Sequence, residues 1–393
     1  MNEQTLRTVC KANFCTGCMA CIGVCKKEAI MIQDSLKAFN AIIDNKKCVN
    51  CGLCDKVCPN NNRVELTKPI GWWEGWASET IRMRAASGGA ASAMMKRFVE
   101  DGGYVASCLF KNGEFVFDVT NKLDNLMSFS GSKYVKSNPI GIYSKVVDVL
   151  RCGDKVLFIG LPCQVAAMKN YAAILSADKI ENLYTVDLIC HGTPSYQILK
   201  LALSEIGIDV KCLTNIRFRN KTHYQVLFGD VDNDYKEIMP TGMQDMYTYT
   251  FLSAMVNTEN CYSCQYATLG RPSDVTIGDS WGSNLPSDEQ CKGVSLLLCQ
   301  TEKGINLVNS SGMKLKEVSL ENAIKTNHQL SHPPIPPKER KIFFDNLDKG
   351  FHKAVSKSSP VVYYKQKLKK VLIGLKIISR KTDRIEYQIS VRK

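Results

Sequence analysis

The 393-residue chain contains eighteen cysteines, and eight of them fall into two runs of one spacing. The first run is Cys15-x2-Cys18-x2-Cys21-x3-Cys25. The second is Cys48-x2-Cys51-x2-Cys54-x3-Cys58-Pro59. Three thiolates at every third position lie on one tight loop and grip three irons of a cube. The fourth cysteine opens a segment that points away and completes the other cube. Cys15, Cys18, Cys21 and Cys58 are therefore assigned to one [4Fe–4S] cluster, and Cys48, Cys51, Cys54 and Cys25 to a second. Gly17 and Gly52 are expected to relieve crowding where backbone amides approach the cluster sulfurs. Lys26 stands where a proline usually follows the first run; that proline turns the chain and ligates nothing. Zinc sites use C-x2-C pairs separated by longer gaps, so the spacing favours iron–sulfur chemistry and electron transfer.

Four further cysteines sit in distinctive company. Cys163 lies in Gly160-Leu161-Pro162-Cys163-Gln164 and Cys190 in Asp187-Leu188-Ile189-Cys190-His191-Gly192, each at the end of an expected strand. Cys261 and Cys264 form a C-x2-C pair before Arg271-Pro272-Ser273-Asp274. Loops that follow adjacent strands of an α/β layer converge at one sheet edge, where four thiolates would meet and hold a third cube. The residues alone leave other readings open: a four-cysteine zinc site, small buried side chains, or a nucleophile pair of Cys163 with His191. Cys10, Cys108, Cys152, Cys212, Cys291 and Cys299 have no comparable setting and read as core or incidental.

The elements that must position these groups follow from patterning. Ser87 is a candidate N-cap for a helix near Gly89–Glu100, with Ala91, Met94, Met95 and Phe98 on its apolar face. Tyr104–Phe110 and Glu114–Val119 read as a hairpin about Lys111-Asn112-Gly113. Val156–Gly160, a helix over Gln164–Ala173 and Leu183–Ile189 form a strand–helix–strand unit, and Val275–Ile277 and Val294–Cys299 read as further strands. Ser331–Pro337 reads as a stiff proline hinge, and Tyr363–Ser379 as a basic amphipathic helix. The expected fold class is α+β. A bacterial-type 2[4Fe–4S] ferredoxin domain (1–66) precedes a mixed α/β flavin-binding body (67–154 and 155–330), followed by the hinge and a basic helical tail (331–393).

Composition is that of a globular protein, 45% hydrophobic and 23% charged. No secretory leader is evident, so eighteen cysteines are expected to bind metal in a reducing cytoplasm rather than to form disulfides. The formal charge is +13, and residues 338–393, with 16 Lys and Arg against 5 Asp and Glu, supply most of it. Such a basic tail favours an acidic protein partner or an anionic membrane face; nucleic acid is not an expected partner.

In several motifs taken in order the sequence resembles the coenzyme F420 hydrogenase/dehydrogenase beta-subunit family, in its ferredoxin-fused bacterial form. The stretches that carry the resemblance are Ala86-Ser87-Gly88-Gly89, Gly131-Ser132-Lys133-Tyr134-Val135, Val156–Gln164, Asp187–Ser195, Cys261–Gly282 and Pro333–Gly350. The resemblance implies FAD beside a [4Fe–4S] cluster whose ligands correspond to Cys163, Cys190, Cys261 and Cys264. Compatible flavin contacts are Ser87, Gly88 and Gly89, which open a helix whose free amides receive a pyrophosphate. Lys133 is a cation for a phosphate or the isoalloxazine, and Asp279 lies in a turn after a strand. His191 is the candidate catalytic residue, a proton-handling group near the flavin. No G-x-G-x-x-G fingerprint is present.

The implied function is an iron–sulfur flavoprotein oxidoreductase. It would pass electrons between a ferredoxin or other redox partner and a small organic substrate or F420-like cofactor. The alternative is a non-catalytic electron-transfer subunit docked on a partner enzyme, with a link to surface-polysaccharide synthesis conceivable.

Overall fold

The computed structural model describes residues 6–220, 223–231, 234–237 and 245–377. In the N-terminal module each cysteine run leads into a one-turn helix, α1 (Ala20–Val24) and α2 (Leu53–Val57). Each helix is entered through a left-handed residue, Met19 at φ 59 and Gly52 at φ 74. A hairpin of β1 (Ile30–Asp34) and β2 (Phe39–Ile43) separates the runs. Gly17 meets the crowding expected of it. A Cβ there would lie 2.8 Å from both Lys136 and Phe39, and its N–H reaches Cys15 Sγ at 3.4 Å. At Gly52 nothing lies within 4 Å of such an atom, so that glycine answers only to its backbone angle.

The body is mixed α/β, built on an eight-stranded sheet. Its strands are β3 (Gly71–Trp76), β4 (Tyr104–Lys111), β5 (Glu114–Thr120), β6 (Val156–Gly160), β7 (Leu183–Leu188), β11 (Val275–Asp279), β12 (Ser295–Cys299) and β13 (Lys314–Lys316), separated in sequence by β8 (Leu213–Asn220), β9 (His223–Val231) and β10 (Asp234–Glu237), which form a small antiparallel sheet of their own. The order across the large sheet is β13-β3-β12-β11-β7-β6-β4-β5. Strands β4, β6, β7 and β11 run parallel, and antiparallel neighbours close both edges. The middle of the sheet is covered on both faces, which is why the parallel β6 and the antiparallel β12 read as apolar runs rather than alternating ones.

Helices α3 (Ala90–Glu100), α4 (Ile142–Arg151) and α5 (Pro162–Leu175) flank this sheet. The β6–α5–β7 unit matches the expected strand–helix–strand, and β4–β5 the expected hairpin. Two details differ. Helix α3 starts at Ala90 with Gly89 as its cap at φ 88, because the Ser87 hydroxyl donates instead to Val294 O at 2.9 Å. Gly71–Trp76, not among the strands expected from patterning, is a full sheet strand paired to both β12 and β13.

The module does not hang from a linker. Cys18, Ala20, Val24 and Val57 share one apolar core with Tyr143, Val146, Met168 and Tyr171 of α4 and α5. Polar bonds fix the seat: Tyr143 Oη donates to Cys18 O at 2.8 Å, Tyr171 Oη to Gly23 O at 3.1 Å, and Lys136 Nζ to Thr16 O at 2.9 Å.

The proline segment 332–337 has no regular structure, but it does not release a free tail. Phe343, Phe351, Ala354 and Val355 pack into the core with Leu199 and Val256. Arg340 donates to Met255 O at 2.8 Å and pairs with Glu259 at the same distance. Only after α6 (Phe351–Ser358) does the chain leave the body, as α7 (Pro360–Gly374). Ile378 and Ser379, the end of the expected tail helix, lie outside the described residues.

Candidate functional site

All eighteen cysteines are free thiols. In the module, Cys15, Cys18, Cys21 and Cys58 are buried and line one small hollow, whereas Cys51 is exposed and Cys25, Cys48 and Cys54 half-buried. The run crossing predicted from the spacing therefore yields an inner set against the body and an outer set toward solvent. Cys10 is no incidental thiol: it lines the inner hollow and hydrogen-bonds with Cys15 and Cys58. Contact with Cys15 comes first in pushing it up to about 11. No spacing rule could have found it, because it precedes the run by an irregular interval. Burial pushes Cys18 up to about 11 and raises Cys21. Thiolates form here only with a cation in place.

The second cysteine set converges as the sheet topology requires. Strands β6 and β7 are parallel, so the loops leaving Gly160 and Leu188 emerge at one edge, carrying Cys163 and Cys190. Cys261 and Cys264 arrive from the segment before β11, which is parallel to β7. All four line one cavity of about 370 Å³, together with Thr16, Asn60 and Lys136 from beside the inner thiols. Burial raises Cys163 and Cys264 and pushes Cys190 up to about 12.

One guanidinium ties this wall together. Arg271 pairs with the fully buried Asp187 at 3.0 Å and donates to Leu188 O and Tyr266 O, both at 2.6 Å. Leu188 stands two residues before Cys190 and Tyr266 two after Cys264. Burial pushes the Asp187 carboxyl up, and Arg271 opposes the shift. Among the described residues no three His, Cys, Asp or Glu side chains are gathered for a single metal ion. The thiols instead ring the cavity, as ligands to separate irons of a cube must. The donor set fits that group.

A larger cavity of about 570 Å³ adjoins, and Leu161, Cys190, Gly192 and Thr193 line both. Ser87, Gly89, Lys133 and Asp279, the residues the resemblance offered as flavin contacts, and His191 all line it. Gly88 does not. A Cβ there would lie 2.5 Å from Gly75 O and 2.6 Å from Ser295 N, so its missing side chain serves strand packing.

The N-terminus of α3 opens on this cavity through Gly89, Ala90, Ala91 and Ser92, with no side chain capping its first amides. Lys133 donates to the carbonyls of Phe129 at 2.6 Å and Ser130 at 3.1 Å, and burial lowers it to about 8. Free amides and a buried amine suit the pyrophosphate of a dinucleotide. The Asp279 carboxylate is engaged by Arg219 at 2.5 and 2.9 Å. Arg219, from β8, was not foreseen, since nothing local to it marks a cavity wall.

His191 Nδ1 lies 2.6 Å from Gln329 Nε2, and Gln329 Nε2 lies 3.0 Å from His328 Nε2. Desolvation in the cavity wall, followed by His328, lowers His191 to about 4, although the residue keeps an exposed surface. His191 lines only the larger cavity and Cys163 only the smaller, so no Cys163–His191 nucleophile pair is assembled.

Comparison with known proteins agrees with this arrangement. Residues 153–323 match the family described as the C terminus of the coenzyme F420 hydrogenase/dehydrogenase beta subunit, and residues 14–62 match the 4Fe-4S dicluster domain. The chain is 23% identical over 351 residues to the coenzyme F420-dependent sulfite reductase of Methanocaldococcus jannaschii, covering 83% of this chain and 50% of that protein. It is 22% identical over 239 residues to an uncharacterized protein of the same organism, covering 50% of this chain and 64% of that one. The chain thus spans about half to two-thirds of the length of these curated relatives. Among solved structures, a chain of the F420-reducing [NiFe] hydrogenase complex from Methanosarcina barkeri aligns at 18% identity with a TM-score of 0.46, covering 73% of this chain and 97% of that one. Residues 153–323 thus carry the C-terminal region of the coenzyme F420 hydrogenase/dehydrogenase beta subunit, behind a 4Fe-4S dicluster domain at residues 14–62.

Proposed function

We propose that the protein is an oxidoreductase that carries electrons between a redox partner protein and a small organic substrate or F420-like cofactor. Three [4Fe–4S] clusters and one FAD serve this role. The observation that carries the reading is the wall shared by the two cavities. Cys190 borders both, and the smaller cavity also reaches Thr16 and Asn60 beside the inner thiols. Outer thiols at the surface, inner thiols, the second cysteine set and the large cavity thus form one unbroken series.

In this reading Cys25, Cys48, Cys51 and Cys54 hold the cluster that meets the partner, and Cys15, Cys18, Cys21 and Cys58 the next. Cys163, Cys190, Cys261 and Cys264 hold the third. FAD, when bound, supplies exchange between single electrons and a hydride. The chain's own residues do the rest. Lys133 and the α3 amides bind the phosphates, the apolar walls exclude water, and His191, its Nδ1 engaged by Gln329, offers Nε2 to the cavity.

The exposure of Cys51 beside half-buried Cys25, Cys48 and Cys54 also suits a second reading, an electron-carrying subunit docked on a catalytic partner protein.

Anaerobic purification with iron, sulfide and flavin quantified together tests the proposal. About twelve irons and one FAD per chain are expected. About eight irons removes the third cluster, and absence of flavin removes the flavoprotein reading. Turnover that appears only on adding a second protein selects the subunit reading.

A further inference from the structure

Helix α7 has no buried residue, although it is rich in large apolar side chains. Val362 and Tyr363, at its start, pack against the body. Val361, Tyr364, Leu368, Val371 and Leu375 are each more than half exposed. Their spacing of three and four residues puts them on one stripe. Residues 360–377 also contain Lys365, Lys367, Lys369, Lys370 and Lys376 and no Asp or Glu. A helical segment of this length is marginal in water without a partner for its apolar face.

We propose that α7 lies in the headgroup region of an anionic lipid bilayer, with the Val361–Leu375 stripe inserted and the lysines against lipid phosphates. Charge complementarity selects the occupant. A second copy of α7 would bring five lysines against five more. An acidic partner helix would satisfy the charges, but a two-helix seam covers only the a and d positions. Leu372 falls outside those positions, borders the stripe and is only partly covered; a bilayer surface takes it in with the rest. Lysines flanking an apolar stripe extend their stems along it while the ammonium stays at the headgroups. No described helix is long and apolar enough to cross a membrane, so the mode is lateral attachment. This inference does not depend on the clusters or on FAD.

The test is flotation of the full chain with phosphatidylcholine vesicles, with and without phosphatidylglycerol, at low and high salt. Binding is expected to the anionic vesicles only, and to fall with salt. Each lysine near such a surface contributes about fivefold in affinity, so Lys365→Glu, Lys367→Glu, Lys369→Glu and Lys370→Glu combined should weaken binding by more than about a hundredfold. Leu368→Asp with Val371→Asp should abolish it while leaving the thermal midpoint unchanged, since both residues are exposed. Failure to bind anionic vesicles at low salt overturns the proposal. So does binding that survives both variants, or an acidic helical protein that occupies the stripe while vesicles do not.

Discussion

Replacing Arg271 by Met should loosen the second cysteine set and leave the first two in place. Arg271 is 1% exposed and Asp187 0%. Removing the guanidinium leaves a buried carboxylate unpaired and two carbonyls without their donor. Breaking one side of such a pair costs about 3–5 kcal/mol. An unfolding entropy of about 2.1 cal/mol/K per residue is about 0.8 kcal/mol/K for this chain length, so the thermal midpoint should fall by about 4–6 °C. The loss is concentrated where Leu188 leads to Cys190 and Tyr266 follows Cys264. Iron per chain after anaerobic reconstitution should therefore drop from about twelve to about eight. Asp187→Asn combined with Arg271→Met should cost less than the sum of the single changes, because it leaves no buried charge. An Arg271→Met protein with unchanged midpoint and iron content would refute the clamp. Loss of all the iron would show that Arg271 supports the whole chain rather than this wall.

Two further outcomes follow from the large cavity. Lys133, lowered to about 8 by burial, is charged below that pH and neutral above it. Affinity for a phosphate-bearing dinucleotide should fall as pH rises through about 8, approaching tenfold per unit. Lys133→Met should bind more weakly at pH 7 and show a flat profile, read by flavin fluorescence titration. Gly192 has φ +100, and a Cβ there would lie 2.3 Å from Asn257 Nδ2, which donates to His191 O at 3.0 Å. Gly192→Ala should cost about 1–3 kcal/mol, seen as a lower thermal midpoint, and should shift His191 in imidazole NMR spectra.

The grouping of the cysteines was legible because a ligand set imposes a rigid local spacing. Both runs, their crossing and the strand-end positions of Cys163 and Cys190 follow from a few residues each. The central strands were legible for a related reason: burial on both faces leaves the parallel β6 and the antiparallel β12 largely apolar. What escaped depends on distance in sequence. Cys10 reaches the inner hollow, and Arg219 reaches from the small sheet to Asp279 of the large one. Lys136 reaches Thr16 through the gap left by Gly17. None of these has a neighbour in sequence that announces it. Gly88 misled for the opposite reason: its neighbours Ser87 and Gly89 look like a phosphate loop, while its own constraint is the backbone of β3 and β12. The proline segment read as a hinge because prolines stiffen the chain, yet the aromatic residues after it return to the core.

The seating of the cysteine-rich module on α4 and α5 carries a consequence for how such a chain is assembled. Tyr143, Val146, Met168 and Tyr171 share one core with the module as well as with the body sheet. A body expressed alone would present them to water as a sticky face and leave the Tyr143 and Tyr171 hydroxyls without their carbonyl acceptors. The two parts are thus one folding unit rather than beads on a string. Shared packing and three hydrogen bonds thus tie the position of the inner thiols to the body that carries the second set.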